Sequence, residues 1–246
     1  MNKVIRYIFI LVCIGIMAYS AWNIWSINDE YEEVDAVYED LAEKFIVIEE
    51  ANDTDPGKVN ADEPTTAAPE VKISFEELVA MYPDVIGWLY CEGTPINYPV
   101  VQAKDNDYYL RRMINGKYNV GGTIFVDYRN SDDFSDPVTL IYGHNMKNGS
   151  MFGAIPKYAK KDFLQAHKIM TLKTPDKNYE IEIIGGVKTD AYDPIYSMDV
   201  GNLAKQLKYA PEKGEKIIVF STCLYDTEDS RYLLAGTLRE VVADEN

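Results

Sequence analysis

A cysteine stands near the carboxyl end of the chain, at the point where an apolar run ends. The stretch KIIVFSTC reaches Cys223, after which the sequence turns polar, and Arg231 begins the next apolar run, RYLLAGTL. If the two runs pair as neighbouring strands, Cys223 and Arg231 lie at the same rim, where a cation favours a thiolate and can hold a developing negative charge. The alternatives are a small buried core residue at Cys223 and a surface salt bridge from Arg231 to Asp226, Glu228 or Asp229.

A cysteine nucleophile usually requires an imidazole, and the chain has two histidines. His144 follows the apolar stretch PVTLIYG, so it also lies where a strand is expected to end. His167 closes a helical pattern, FLQAHKIM, where a helix cap or a hydrogen bond in the core is its ordinary role. We therefore favour His144 as the base. The spacing of the two histidines and the cysteine does not match zinc ligands, so no metal site is expected.

The amino terminus carries an apolar run that is about as long as a bilayer core requires. Residues 7–27 contain no charge, Lys3 and Arg6 precede them, and acidic residues follow. The positive-inside rule then leaves residues 1–6 in the cytoplasm and the bulk of the chain outside the cell. A cleaved signal peptide is the alternative, but the run is long for one. We expect an uncleaved, single-pass anchor in the cell membrane.

The acidic charge of the chain is concentrated in one segment. The formal net charge is −16, and residues 28–70 hold fifteen acidic residues against two lysines. Residues 71–246 carry a net charge of −5, whereas phosphate binding requires clustered lysine and arginine. We therefore do not expect nucleic acid as a partner.

Three regions follow the apolar run. Residues 28–50 place apolar side chains at helical spacing with an acidic opposite face, which predicts an amphipathic helix. Packing of this helix against the protein's own domain is favoured over a short coiled coil. Residues 51–70 lack large apolar side chains and are typical of a flexible linker. Residues 71–246 form the predicted extracellular catalytic domain.

The domain consists mainly of strand-like runs. A capping-box pattern of Ser74 and Glu77 predicts a short helix at its start. Strands are predicted over 88–92, 96–102, 122–127, 138–143, 168–173, 178–187, 215–222 and 231–241, and helical patterns over about 105–114, 151–167 and 202–210. Because helices and strands do not alternate regularly, we expect a mostly antiparallel barrel or sandwich.

Three cysteines are too few for a disulfide framework. Cys13 lies in the apolar run, which leaves Cys91 and Cys223 in the extracellular part. A free thiol that is kept outside the cell, where oxidation threatens it, suggests that the thiol is used. We expect Cys91, in the stretch WLYCEG, to serve core packing, with a regulatory disulfide to Cys223 as the alternative.

These motifs together resemble a known family. YGH at His144, then STC at Cys223 and an arginine shortly after it resemble the sortases, membrane-anchored cysteine transpeptidases of Gram-positive bacteria. The stretches DVIGWLYCEGTPINYPVVQAKDNDYYL, GGTIFVDYRN, TLIYGHNM and SMFGAI occur in the order that is found in class B sortases. The resemblance covers residues 73–242.

The resemblance implies a fold and a set of roles. The fold would be mainly β, with decorating helices: a closed eight-stranded sortase-type β-barrel with N-terminal helices. The catalytic residues would be His144, Cys223 and Arg231. The residues that bind substrate would be Asn106, Leu110, Ser221 and Tyr196.

The implied reaction is the cleavage of a C-terminal sorting signal after threonine. Cys223 would form a thioacyl intermediate, which an amine of a lipid-linked peptidoglycan precursor or a pilin lysine resolves. No cofactor is implied. A secreted cysteine peptidase or cell-wall hydrolase is one alternative, although such enzymes often place the cysteine before the histidine. A membrane-tethered binding module with an incidental thiol is another.

Overall fold

The computed structural model describes residues 3–49 and 70–241. It begins with one long helix, α1 (Lys3–Phe45), and continues into strand β1 (Ile46–Glu49). β1 pairs antiparallel with β2 (Glu70–Ile73), and a short helix, α2 (Phe75–Met81), leads into the main sheet. The predicted linker over 51–70 lies outside the described residues, except that its last residue begins β2.

The helix predicted over residues 28–50 differs from the structure at both ends. It ends at Phe45, and residues 46–49 form strand β1 instead. The cause is a run of three β-branched residues, Ile46 to Ile48, which pair with residues 71–73 and favour extended backbone. The helix also has no start near residue 28, because α1 continues without a break from the apolar run into the acidic segment.

Within the described residues, eight strands close into a barrel. They are β3 (Val85–Tyr90), β4 (Asn97–Gln102), β5 (Ile124–Val126), β6 (Val138–Tyr142), β7 (Ile169–Lys173), β8 (Asn178–Asp190), β9 (Lys216–Cys223) and β10 (Ser230–Val241). Around the barrel their order is β10, β8, β7, β3, β4, β5, β6, β9, and β9 closes on β10. The pairs β4–β5 and β6–β9 are parallel and the others antiparallel. The predicted closed eight-stranded barrel is confirmed.

The helical segments between the strands are shorter than the sequence predicts. Over 105–114 only a 3-10 turn forms, at Tyr109–Arg111, because the Asp105 side chain accepts hydrogen bonds from nearby backbone N–H groups. The pattern over 151–167 divides into a 3-10 segment (Ile155–Ala159) and α3 (Lys161–Ala166). Pro156, which has no N–H, lies in the first piece. Helix α4 (Val200–Leu207) precedes β9.

The second half of α1 packs against the barrel. Val34, Tyr38, Leu41 and Phe45 are buried and recur at helical spacing, so they form one apolar stripe. The hydroxyl oxygen of Tyr38 lies 2.8 Å from both the carbonyl oxygen of Gly122 and Oγ1 of Thr123. Residues 34–45 of α1 therefore pack on this chain's own domain.

The first half of α1 carries the apolar run, and none of that run is buried. Its mean hydropathy reaches 2.1 over the most apolar window. By length and composition this stretch could cross a membrane.

The contact between α1 and the barrel leaves no room for a methyl group at Gly121. A Cβ there would lie 2.8 Å from Cγ2 and 3.0 Å from Cγ1 of Val34. We expect Gly121→Ala to lower the free energy of unfolding by about 1–3 kcal/mol. In a Val34→Ala background both γ-methyl groups are absent, so the same substitution should cost less. Urea unfolding of the four proteins in detergent micelles measures this, and equal costs in both backgrounds would contradict the contact.

Candidate active site

Three strand ends meet at one rim of the barrel. In the antiparallel pair β9–β10, Cys223 lies opposite Arg231. In the parallel pair β6–β9, Tyr142 lies opposite Ser221, so both strands end at the same edge of the sheet. His144 follows the end of β6 and therefore reaches the rim where β9 ends at Cys223.

Hydrogen bonds fix the backbone on both sides of His144 to β9. Oγ1 of Thr222 donates to the carbonyl oxygen of Gly143 at 2.7 Å. Nδ2 of Asn145 donates to the carbonyl oxygen of Cys223 at 3.0 Å. Because both neighbours of His144 are tied to this strand, the imidazole stays beside the thiol-bearing end of β9.

The rim opens into a cavity of about 260 Å³. All seven predicted site residues line it: Asn106, Leu110, His144, Tyr196, Ser221, Cys223 and Arg231. No prediction from the sequence covered the other lining residues, which are Thr123, Phe125, Tyr142, Gly143, Ala191 and Thr222. Gly143 and Thr222 are direct neighbours of predicted residues in the sequence, and Tyr142 lies two residues before His144. Their position at strand ends was the only available signal. The structure thus brings the predicted set together.

The thiol of the site is accessible. Cys223 is exposed, so it does not fill the core. Cys91, by contrast, is 1% exposed, and its Sγ lies 3.3 Å from the Tyr158 hydroxyl. Burial raises the pKa of the Cys91 thiol, which makes it a poor nucleophile. The cysteines of the described residues are all free thiols.

The imidazole of His144 is half-buried and bound to a backbone carbonyl. Its Nε2 lies 2.6 Å from the carbonyl oxygen of Leu110. A carbonyl oxygen can only accept, so Nε2 carries the proton and Nδ1 is the acceptor nitrogen of the neutral ring. Burial lowers the pKa of His144, the Leu110 carbonyl opposes this, and the charge of Arg111 lowers it further. The ring is therefore mainly neutral at pH 7.

The guanidinium of Arg231 faces the site without a carboxylate partner. Its Nη1 donates to the carbonyl oxygens of Glu228 and Ser230, at 2.9 and 3.1 Å. Across residues 3–49 and 70–241 no ion pair involves Arg231, and Asp226 pairs with Lys188 instead. The charge of Arg231 is therefore available to an anionic group that forms beside Cys223.

The four residues predicted to bind substrate form the walls of the cavity. Nδ2 of Asn106 donates to the carboxylate of Asp127 at 3.0 Å, and the hydroxyl of Tyr196 lies 2.8 Å from Oγ of Ser221. Leu110 is 39% exposed, so it offers an apolar contact next to the carbonyl that holds the imidazole. The walls therefore combine polar groups with apolar and aromatic surface, which suits a peptide.

The second histidine lies elsewhere. His167 is the C-cap residue that follows α3, and its Nδ1 lies 2.9 Å from the carbonyl oxygen of Glu92. It does not line the cavity. In the part of the chain that the structure describes, no group of three or more histidine, cysteine, aspartate or glutamate side chains has the arrangement of a metal site.

Two known proteins share much of this sequence. Sortase B of Listeria monocytogenes is 37% identical over 179 residues, which cover 73% of this chain and 68% of the relative. Sortase B of Staphylococcus aureus is 28% identical over 174 residues, which cover 71% of each chain. No family model matches the chain.

A solved structure has a similar fold. The crystal structure of sortase B from B. anthracis aligns with a TM-score of 0.69 and 28% sequence identity. The alignment covers 87% of this chain and 100% of that chain.

The environment of His144 leads to a prediction about its titration. Because burial disfavours the charged ring, we expect its titration midpoint to lie below the ordinary value of 6.5. The ring should therefore take up its second proton at a lower pH than an exposed histidine does. NMR titration of the full chain with labelled histidine measures this, and His144→Gln identifies the resonance. A midpoint above 6.5 would contradict the described environment.

Proposed function

This chain belongs to the class B sortases, a family of cysteine transpeptidases, and we propose that it cleaves a C-terminal sorting signal after threonine and joins the surface protein to an amine. Membership in the family confirms the enzyme class that the sequence predicted. One observation carries the finer proposal: Cys223, His144 and Arg231 line one accessible cavity together with the residues expected to contact the peptide.

The first half of the proposed reaction forms a thioester. Sγ of Cys223 attacks the carbonyl carbon of the threonine, and His144 takes the thiol proton at Nδ1. The resulting tetrahedral oxyanion is stabilised by the guanidinium of Arg231. As the C–N bond breaks, the imidazolium gives its proton to the leaving amine. The threonine is then bound to sulfur, and the rest of the signal departs as a free amine.

The second half transfers the acyl group. The nitrogen of the acceptor amine attacks the thioester carbon, and the neutral His144 takes a proton from it. The C–S bond breaks, the new amide is released, and the proton returns to the thiol of Cys223. In each half of the reaction His144 thus acts first as a base and then as an acid. Its lowered pKa suits the base role at neutral pH and leaves only a small fraction of thiolate–imidazolium, so we expect slow turnover.

Similar solved structures support a peptide donor and an amine acceptor. They include a Staphylococcus aureus sortase B–substrate complex and a sortase B complexed with triglycine, each 26% identical to this chain. Another, 32% identical, is a class B sortase of Streptococcus pyogenes that is involved in pilus biogenesis. For this chain we propose an amine of a lipid-linked peptidoglycan precursor as acceptor, with a pilin lysine as the alternative.

We also propose that the apolar run of α1 anchors the chain in the cell membrane. Residues 7–27 carry no charge, and Lys3 and Arg6 lie on the side that the positive-inside rule assigns to the cytoplasm. The catalytic domain would then lie outside the cell, where sorting signals and cell-wall precursors meet.

Substitution of the three catalytic candidates tests the mechanism. In a library of sorting-signal peptides, we expect Cys223→Ala to abolish cleavage. His144→Ala should slow it by roughly 10²–10⁴-fold and Arg231→Ala by about 10²–10³-fold, the usual losses for an acid–base group and an oxyanion donor. His167→Ala is the matched control and should cleave at the wild-type rate. Cleavage by Cys223→Ala at that rate would overturn the assignment.

The products distinguish a transpeptidase from a hydrolase. With triglycine or a lysine-bearing peptide present, we expect the acyl group to appear on the added amine rather than on water. Mass spectrometry of the products measures the partition, and the better acceptor indicates cell-wall anchoring or pilus assembly. Hydrolysis alone, whatever amine is supplied, would favour a secreted cysteine hydrolase.

Protease treatment of protoplasts tests the anchor. We expect the full chain to remain with the membrane fraction and its catalytic domain to be digested from outside. Deletion of residues 7–27 should abolish membrane association. A domain protected from external protease would contradict the proposed orientation.

A further inference from the structure

The aspartate that follows β5 is a buried carboxylate with several donors. Asp127 has 0% exposure, and it accepts hydrogen bonds at 2.8 Å from Nε and from Nη2 of Arg129. The Tyr142 hydroxyl donates to it at 2.8 Å and Asn106 Nδ2 at 3.0 Å. Burial by itself would raise the pKa of Asp127, but the bonds from Arg129, Tyr142 and Asn106 outweigh it and hold the pKa at about 2. The group is therefore ionised at physiological pH.

Arg129 connects this carboxylate to a distant part of the chain. Its Nη2 donates to Asp127 and also, at 2.8 Å, to the carbonyl oxygen of Tyr196. Tyr196 lies in the connection between β8 and β9, 67 residues further along the chain. The planar guanidinium offers several donors in a fixed geometry, which lets one side chain bridge both acceptors. The connection is thereby tied to the end of β5.

Two more contacts orient the ring of Tyr196. It stacks on Tyr142, with ring centroids 6.4 Å apart and planes inclined by 12°. Its hydroxyl lies 2.8 Å from Oγ of Ser221. Since Tyr142 also donates to Asp127, the backbone and the ring of Tyr196 are both held through the same carboxylate.

These contacts join cavity-lining residues from three separate segments of the chain without involving the thiol of Cys223, the imidazole of His144 or the guanidinium of Arg231. Asn106, Tyr142 and Tyr196 line the cavity, whereas Asp127 and Arg129 do not. The Arg129 side chain is 40% exposed, so the packing of the core does not depend on it. A groove whose walls are ordered in advance binds a peptide more tightly, because less conformational entropy is lost on binding.

We propose that Arg129, held by Asp127, is a positioning residue that fixes the segment 191–199 as one wall of the peptide-binding groove. It sets the affinity for the sorting signal and leaves the chemical step at Cys223 largely unchanged. This inference rests on the proposed peptide-cleaving function.

Steady-state kinetics of the full chain with its best library peptide tests the proposal. We expect Arg129→Gln to raise KM about tenfold while kcat stays within about twofold of wild type, since the lost contacts act on binding. Arg129→Lys keeps the charge but loses the planar guanidinium with its several N–H donors, so KM should return only part of the way to the wild-type value. The matched control is Arg239→Gln, which breaks an exposed pair with Glu180 toward the other end of β10 and should change neither constant.

Hydrogen exchange provides a readout that does not depend on turnover. In Arg129→Gln we expect the amides of 191–199 to exchange at least tenfold faster than in wild type, with no change in Arg239→Gln. If wild type cleaves no peptide, the proposed function fails, while this measurement still decides whether Arg129 holds the segment.

Tyr142→Phe keeps the test valid if Arg129→Gln does not fold. Phenylalanine retains the ring that stacks on Tyr196 and removes only the donor to Asp127, so a smaller rise in KM is expected. An unchanged KM in the folded Arg129 and Tyr142 variants, a loss confined to kcat, or an equal effect of Arg239→Gln would overturn the proposal.

Discussion

The pairing of β9 with two neighbours is the constraint on which the site depends. β10 sets Arg231 opposite Cys223, and β6, which pairs in parallel, brings the segment with His144 to the same edge. Side chains alternate between the two faces of a strand, so a slip of one residue in either pairing would turn the thiol away from its partners. Residues 217–222 of β9 are all buried and pack on both faces of the strand: Ile218 and Phe220 lie in the main core, and Ile217 and Val219 lie in a second apolar cluster. A slip of one residue would exchange these two sets, so the packing on both faces fixes the register.

Burial and backbone hydrogen bonds set the protonation of His144 and keep the charge of Arg231 available. Burial keeps His144 mainly neutral, while its bond to a backbone carbonyl fixes which nitrogen accepts a proton. Arg231 is held by carbonyl oxygens rather than by a carboxylate, so its charge is not cancelled before substrate arrives. For Asp127 and Arg129, which do not line the cavity, the opposite holds: their charges neutralise each other and serve to order the chain. The site thus combines an available cation in the cavity lining with a paired cation outside that lining.

Helix α1 is part of the same unit as the cavity. The Tyr38 hydroxyl contacts Thr123, and Thr123 lines the cavity at the start of β5. The helix that begins with the apolar run therefore supports the wall of the site through a buried side chain. Because α1 is continuous, no flexible segment separates the proposed anchor from the part of the same helix that packs against the barrel.

The sequence alone determined the local features. Runs of β-branched and aromatic residues located all eight barrel strands, and the apolar run marked the exposed half of α1. The positions of Cys223 and His144 at strand ends marked these two residues as part of one site, and the resemblance to the sortases supplied the predicted substrate-binding residues. Only the tertiary structure decided the parallel pairs, the pairing of β1 with β2, and the network around Asp127. These depend on contacts between segments that lie tens of residues apart. Local propensities do not determine such contacts. Which strands pair, and which charges meet, depends on how all the segments pack together around one core from which water is excluded.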